Sequence, residues 1–231
     1  MDRENARKYR ALLDGGRWFF GLSDSRKEAL LSAGSVRKIP AGQQVITQGA
    51  PANGLFAVLE GAIRISSPLD SGDEALITVV EPPTWLGEIS VLDGEPSPLN
   101  GIATTDSLLV HVLQSDLDAI LERDPAFWRA LGALAMGKLR LTFAAMEDNS
   151  ARPLADRLAH RLVIMAESHG QWRDRSSRVI EASQEQLARM LSSSRQTVNG
   201  LLKTLEAEGV VRLSYGRIEI LDLDALKRRA R

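Results

Sequence analysis

Residues Ser183–Glu208 read SQEQLARMLSSSRQTVNGLLKTLEAE, two short helices broken by a serine-rich turn. Ser183 is a good helix N-cap, and Gln186 three residues later completes a capping box in which each side chain satisfies the other residue's orphan amide. The first helix buries Leu187, Ala188 and Leu191. Ser192 and Ser193 interrupt it, and Ser194 caps a second helix whose apolar stripe is Val198, Leu201, Leu202 and Leu205 at helical spacing. Gly209 stops that helix. The small Ala188 lets the two helices cross closely, as a helix-turn-helix requires.

The second helix has another face. Arg195, Gln196, Asn199 and Lys203 lie within one arc opposite the buried stripe. These side chains suit a helix entering a DNA major groove: Arg pairs with guanine O6 and N7, Gln or Asn with adenine N6 and N7, and Lys neutralises a phosphate. The bland reading is the solvated face of an ordinary two-helix hairpin. The residues after Gly209 favour DNA, because Val210–Leu213 and Ile218–Leu221 alternate around Ser214-Tyr215-Gly216-Arg217 as a β-hairpin would. A hairpin after a helix-turn-helix is a wing, and Arg217 at its tip can reach a backbone phosphate. The candidate DNA-binding set is Ser183, Gln184, Ser194, Arg195, Gln196, Thr197, Asn199, Lys203 and Arg217.

Charge supports the same end of the chain. The 231 residues carry a net charge of −1, but residues 1–150 hold 14 Lys/Arg against 20 Asp/Glu, and residues 151–231 hold 15 against 10. The basic portion contains the two-helix motif, which fits an anionic partner. With no cysteine in the chain, disulfides, thiolate-held clusters and thiol catalysis are excluded. No long apolar run suggests a membrane span and the polar start MDRENARKYR is not a secretory signal, so cytoplasmic residence is expected.

Residues 1–31 read as helical, with Trp18, Phe19 and Phe20 docking the segment on the next part of the chain. From about Val36 the period changes. Gln44–Thr47, Leu55–Leu59, Ala62–Ser66, Ala75–Val80 and Leu108–Leu113 are short runs separated by glycine-bearing turns, the mark of a β-sandwich, roll or jelly roll. Asp124-Pro125 then opens a helix to about Asp148. Trp128, Gly132, Ala135, Leu139, Thr142 and Met146 form a heptad-like seam on it, and Phe127, Leu131, Leu134 and Leu141 a second apolar face. A helix apolar on two sides needs two partners. These are expected to be its own β-domain and the same helix of a second subunit, through Trp128, Gly132, Ala135, Leu139 and Met146; burial within one subunit is the alternative. Asn149–Pro153 looks like a hinge, Leu154–Ser168 a further amphipathic helix, and Gly170–Ser177 a polar loop.

The order of these parts resembles the Crp/Fnr superfamily of bacterial transcription regulators across nearly the whole chain. The motifs that carry the likeness are Ile39-Pro40-Ala41-Gly42-Gln43, Gln48-Gly49, Gly54–Gly61, Leu86-Gly87-Glu88, Leu92-Asp93-Gly94-Glu95-Pro96 and Ser194–Val198. The resemblance implies an α+β chain of two domains: N-terminal helices and a cyclic-nucleotide-binding-like antiparallel β-roll or jelly roll (1–123), a long dimerisation helix and hinge (124–150), and a C-terminal winged helix-turn-helix (151–231). It further implies a homodimer on pseudo-palindromic double-stranded DNA that recruits or blocks RNA polymerase. Arg195, Gln196 and Asn199 fall where relatives read bases. Gly200 stands where cAMP-responsive members carry a second base-contacting arginine, so a different operator is expected.

On the effector side, Gly87 and Glu88 match the pair that contacts ribose in cAMP-binding relatives. The Arg-Ser that holds the cyclic phosphate there is Ser97-Pro98 here. The charge partner is gone, and proline removes a backbone donor. Thr142 matches a residue that contacts the base, but its neighbour is Phe143. The candidate effector pocket is therefore Gly87, Glu88, Ser97 and Thr142, for an effector that is unidentified or absent and is not expected to be cAMP. Glu88 without that arginine reads as a structural carboxylate.

His111, His160 and His169 show no ligand spacing, so neither a metal, a haem nor any other cofactor is expected. No nucleophile–base pair or phosphate-cradling glycine loop points to an enzyme. The competing reading is a small-ligand sensor acting through protein partners, its winged helix serving as an interaction surface.

Overall fold

The computed structural model describes residues 6–68, 74–166, 179–180, 182–214 and 216–230. These form two compact units that part within one long helix, the first running to Gly137 and the second from Lys138 onward.

The first unit opens with a 3-10 turn (Ala6–Tyr9) and helices α1 (Arg10–Leu13), α2 (Arg17–Phe20) and α3 (Asp24–Ala33). The helical reading of this segment holds only in pieces, because Gly15-Gly16 and Gly21 interrupt it. Phe19 is fully buried and stacks on Trp85. Trp18 stacks on Phe127 and donates its indole N–H to the Ala130 carbonyl at 2.6 Å. Phe20 does not dock as expected: it lies at the surface, where the Lys27 ammonium sits 5.0 Å from its ring.

Eight strands come next: β1 (Ser35–Ile39), β2 (Gln44–Ile46), β3 (Leu55–Glu60), β4 (Ile63–Pro68), β5 (Glu74–Val80), β6 (Trp85–Leu86), β7 (Asn100–Ala103) and β8 (Ser107–Val112). They build two antiparallel sheets in the orders β1-β8-β3-β6 and β2-β7-β4-β5, a jelly roll. Strands β3 and β8 are apolar nearly throughout because both faces are covered. Leu55, Ala57, Leu59, Leu108, Val110 and Val112 face the helices, whereas Phe56, Val58 and Leu109 fill the space between the sheets. Each fully buried leucine, valine or phenylalanine among them contributes about 1.5–3 kcal/mol.

Two helices here have no counterpart in the sequence reading. Helix α4 (Glu88–Asp93) lies between β6 and β7, and α5 (Gln114–Arg123) comes after β8, burying Leu117, Ile120 and Leu121. Asp124 therefore ends α5 rather than opening the long helix. Its carboxylate receives Arg26 Nε at 2.5 Å and Nη2 at 3.0 Å, an ion pair that tethers α3 to the junction and holds Asp124 below the usual carboxylate range. The long helix α6 (Phe127–Ala151) starts two residues past Pro125 and passes through most of the expected hinge.

The second unit contains α7 (Leu154–Ala166), α8 (Gln184–Met190), α9 (Arg195–Ala207), the hairpin β10 (Val211–Ser214) and β11 (Arg217–Ile220), and α10 (Leu223–Arg229). A short strand not foreseen, β9 (Val179–Ile180), pairs with β11. Leu158, Leu162, Leu187, Val198, Leu202, Ile218 and Leu226 are fully or almost fully buried and form its core. Arg152, just before α7, donates to the Ala230 carbonyl at 2.6 Å, fastening the last helix. The expected polar loop at 170–177 and His169 lie outside the described residues.

Candidate nucleic-acid interface

Local chemistry sets the two helices of the motif. The Ser183 hydroxyl accepts from the Gln186 amide at 3.1 Å, and the Gln186 side chain accepts from the Ser183 amide at 2.7 Å, a complete capping box. Helix α8 ends at the turn, where Ser192 takes φ +50° and the Ser193 amide returns to the Ala188 carbonyl at 2.9 Å. Arg157 of α7 donates to the Leu191 carbonyl at 2.8 Å, fixing the turn to the body of the unit. Ser194 accepts from the Thr197 amide at 3.0 Å and starts α9.

Val198, Leu202 and Leu205 are buried against the unit, so α9 can turn only its other face outward. At its end, the amides of Gly209 and Val210 bond the carbonyls of Glu206 and Leu205, with Gly209 at φ +70°. This is a Schellman stop. Arg195, Gln196, Thr197 and Lys203 are all exposed. Among the described residues neither Arg195 nor Lys203 is engaged in an ion pair, which leaves both cations available to an anionic partner. Asn199 differs. It is half-buried, and its Oδ1 accepts from Gln184 Nε2 at 3.1 Å. The structure thus brings these two candidates to each other.

The hairpin closes with Ser214 opposite Arg217 and Gly216 at φ +69°. Arg217 is exposed at the tip. Glu206 of α9 accepts from the Leu213 amide at 2.8 Å, so the wing is hydrogen-bonded to the helix that precedes it. Lys227, Arg228 and Arg229 stand in the last turn of α10, where Arg229 is ion-paired with Glu208, a basic cluster that the sequence reading did not single out.

The effector candidates have other surroundings. Gly87 adopts φ +99°, and a Cβ there would lie 2.4 Å from the Gly54 carbonyl oxygen. Glu88, first residue of α4, is buried. The Ser97 amide donates to the Ala50 carbonyl at 2.8 Å and its hydroxyl to the Leu99 carbonyl at 2.9 Å. Thr142 is exposed on α6, its hydroxyl bonded to the Lys138 carbonyl at 3.1 Å.

Helix α6 has the two apolar faces expected. Phe127, Leu131 and Leu134 are buried in the first unit, while Trp128 and Leu139 are exposed and Gly132 and Ala135 half-buried. Met136 and Phe143, 49% and 55% exposed, extend the outer face and were not foreseen. The Met146 side chain lies outside the described part. His111 is buried, stacked on Phe56 with ring centroids 4.2 Å apart, and its Nε2 lies 2.7 Å from the Asn53 carbonyl oxygen. Burial pushes its pKa below the ordinary histidine value. No three His, Asp or Glu side chains cluster as a metal site among the described residues, and no helix there is long and apolar enough to cross a membrane.

Comparison with known proteins bears on both units. Residues 36–124 match the cyclic nucleotide-binding domain family, and residues 156–229 match the Crp-like helix-turn-helix domain family. The chain is 30% identical over 218 residues to a CRP-like cAMP-activated global transcriptional regulator of Mycobacterium tuberculosis, covering 92% of this chain and 96% of the relative. It is 27% identical over 215 residues to a cyclic AMP receptor protein of Thermus thermophilus, covering 93% and 97%. Among solved structures, a CRP/FNR-family transcriptional regulator from Thermus thermophilus superposes with a TM-score of 0.63 at 25% identity, covering 85% of this chain and 98% of that one. FixK2 from Bradyrhizobium japonicum shares the fold with a TM-score of 0.72 at 19% identity, covering 86% and 98%.

Proposed function

The chain belongs to the Crp/Fnr family of transcription regulators, and we propose from this that it binds two-fold-symmetric DNA as a homodimer, α9 of each subunit reading the major groove. The observation that carries the reading is the exposed arc of Arg195, Gln196 and Lys203 on a helix whose opposite face is buried and whose two ends are capped. Arg195 and Gln196 at the helix start read base edges, Lys203 neutralises a phosphate, and Arg217 on the wing contacts the backbone. The basic balance of residues 151–231 supports this over a purely protein-binding wing. Once on its operator, the protein would recruit or block RNA polymerase.

Selection of bound sequences from a random DNA pool, with purified protein and no added ligand, tests this reading. A two-fold-symmetric site is expected. Replacing Arg195 by Ala should cost about 1–3 kcal/mol and relax one base position per half-site. Lys203→Ala should weaken all sequences alike and flatten the salt dependence. Equal losses on specific and random DNA in both variants would overturn the assignment.

The effector of the β-roll is in this reading not a cyclic nucleotide. A cyclic phosphate needs a cation and free backbone donors, whereas at Ser97-Pro98 the Ser97 amide and hydroxyl are spent on Ala50 and Leu99 and Pro98 has no N–H. Saturating cAMP or cGMP should leave the melting temperature unchanged; a rise of several degrees with either refutes this part.

A further inference from the structure

We propose that Gln184 is a specificity-determining residue that acts through Asn199, by fixing which end of the Asn199 amide faces DNA; the proposal rests on α9 being the reading helix. An asparagine carboxamide is nearly symmetric in shape but opposite in chemistry at its two ends, an acceptor oxygen and a donor nitrogen. Left to itself it can rotate by half a turn and meet either kind of base edge. Here a half-turn of Asn199 alone would set two N–H donors against each other. Gln184 Nε2 donates to Asn199 Oδ1 at 3.1 Å, with both side chains half-buried.

Gln184 is itself well placed to hold that bond. It comes directly after Ser183, and the reciprocal bonds between Ser183 and Gln186 lock the backbone on which it sits. With Oδ1 taken up by Gln184, Nδ2 is the end left to face outward, and it has no partner among the described residues. Asn199 therefore presents donors to the groove. Donors match the acceptors of guanine (O6, N7), thymine (O4) and adenine (N7), and oppose cytosine, whose only major-groove group is the N4 amino donor. This differs from a free asparagine, which favours adenine by using both ends.

Random-pool selection on the wild type and on Asn199→Ala, Gln184→Ala and Gln184→Glu tests the proposal. The operator position whose preference flattens in Asn199→Ala is the one Asn199 reads. At that position the wild type should prefer guanine or thymine over cytosine by at least about fivefold, the lower end for a well-made side-chain–base contact. Gln184→Ala should lose most of this preference. Gln184→Glu should invert it toward adenine or cytosine, because a carboxylate only accepts and turns Asn199 Nδ2 inward. A uniform affinity loss from the added negative charge cancels in this ratio, and melting temperatures confirm that the variants fold.

A wild-type preference for cytosine at that position, or preferences in both Gln184 variants that match the wild type, overturns the proposal and leaves the proposed function standing. Failure of the wild type to select any symmetric site overturns the proposed function itself.

Discussion

Gly87 and Gly200 show how much a single missing Cβ depends on its surroundings. Gly87 combines φ +99° with the Gly54 carbonyl oxygen 2.4 Å from where a Cβ would stand. Gly200 sits in the middle of α9 with nothing within 4 Å of the corresponding point. Gly87→Ala should therefore cost about 2 kcal/mol or more, from the left-handed backbone plus the clash. Gly200→Ala should instead stabilise by about 1 kcal/mol, the difference in helix propensity. Urea denaturation of both variants checks the opposite signs. The glycine in α9 thus has no packing reason inside the protein, which fits the proposal that a neighbour outside it approaches there. At the same scale, burial first and the nearby Arg37 charge second lower the pKa of His111. The unfolded chain then binds a proton more readily than the folded one. The stability this gives is complete above the ordinary histidine value and is lost as pH falls through about 6.5 toward the depressed folded value. His111→Gln keeps a donor for the Asn53 carbonyl without the titration. Its melting temperature should fall less between pH 7.5 and 5.5 than that of the wild type; parallel profiles would refute the assignment.

Elements whose signals are local were legible in the sequence, and those that depend on tertiary context were not. The capping box at Ser183, the cap at Ser194 and the stop at Gly209 are chemistry between near neighbours, and the structure has all three. Strands β3 and β8 stood out as apolar runs because each is buried on both faces. Helix α5 escaped notice since Gln114–Arg123 offers only Leu117, Ile120 and Leu121 to the core and has no side-chain cap at its start. Two-residue strands such as β6 and β9 carry too few side chains for any period to appear. The Gln184–Asn199 bond was equally hidden, because it joins two helices and no pattern along either one reveals it. The turn between α8 and α9 also held a feature that serine content does not announce: Ser192 is the non-glycine residue with positive φ among those described, at +50°. Such a conformation costs an L-residue about 1–2 kcal/mol that glycine avoids. Ser192→Gly should accordingly stabilise the unit, by less than that figure because glycine also loses more entropy on folding. A lowered urea midpoint in this variant would show that the Ser192 side chain makes a compensating contact.

At the scale of the whole molecule, we propose that the outer face of α6 pairs with the same face of a second copy. Trp128, Met136, Leu139 and Phe143 are between 40% and 55% exposed on one helix. Scattered exposed leucines need no explanation, but four large apolar side chains along one helical face mark an interaction surface. The seam repeats in heptads from Trp128 to Met146, with the small Gly132 and Ala135 near its start, the spacing at which a second copy of the same helix can pack in parallel. Pairing also answers a need of the reading helices. One α9 covers a single half-site, whereas two related by a twofold axis span half-sites about 34 Å apart. Leu139→Arg places a charge in the middle of the seam, and two such charges would face each other across the axis. The wild type is expected to sediment at about twice 25.3 kDa and the variant near that mass at micromolar concentration. Because the second half-site would then bind independently, affinity for the full operator should fall by about 100-fold or more while affinity for an isolated half-site is kept. A variant that stays dimeric, or a monomer that binds the full operator as tightly as the wild type, would show that α6 does not couple the two DNA-reading units.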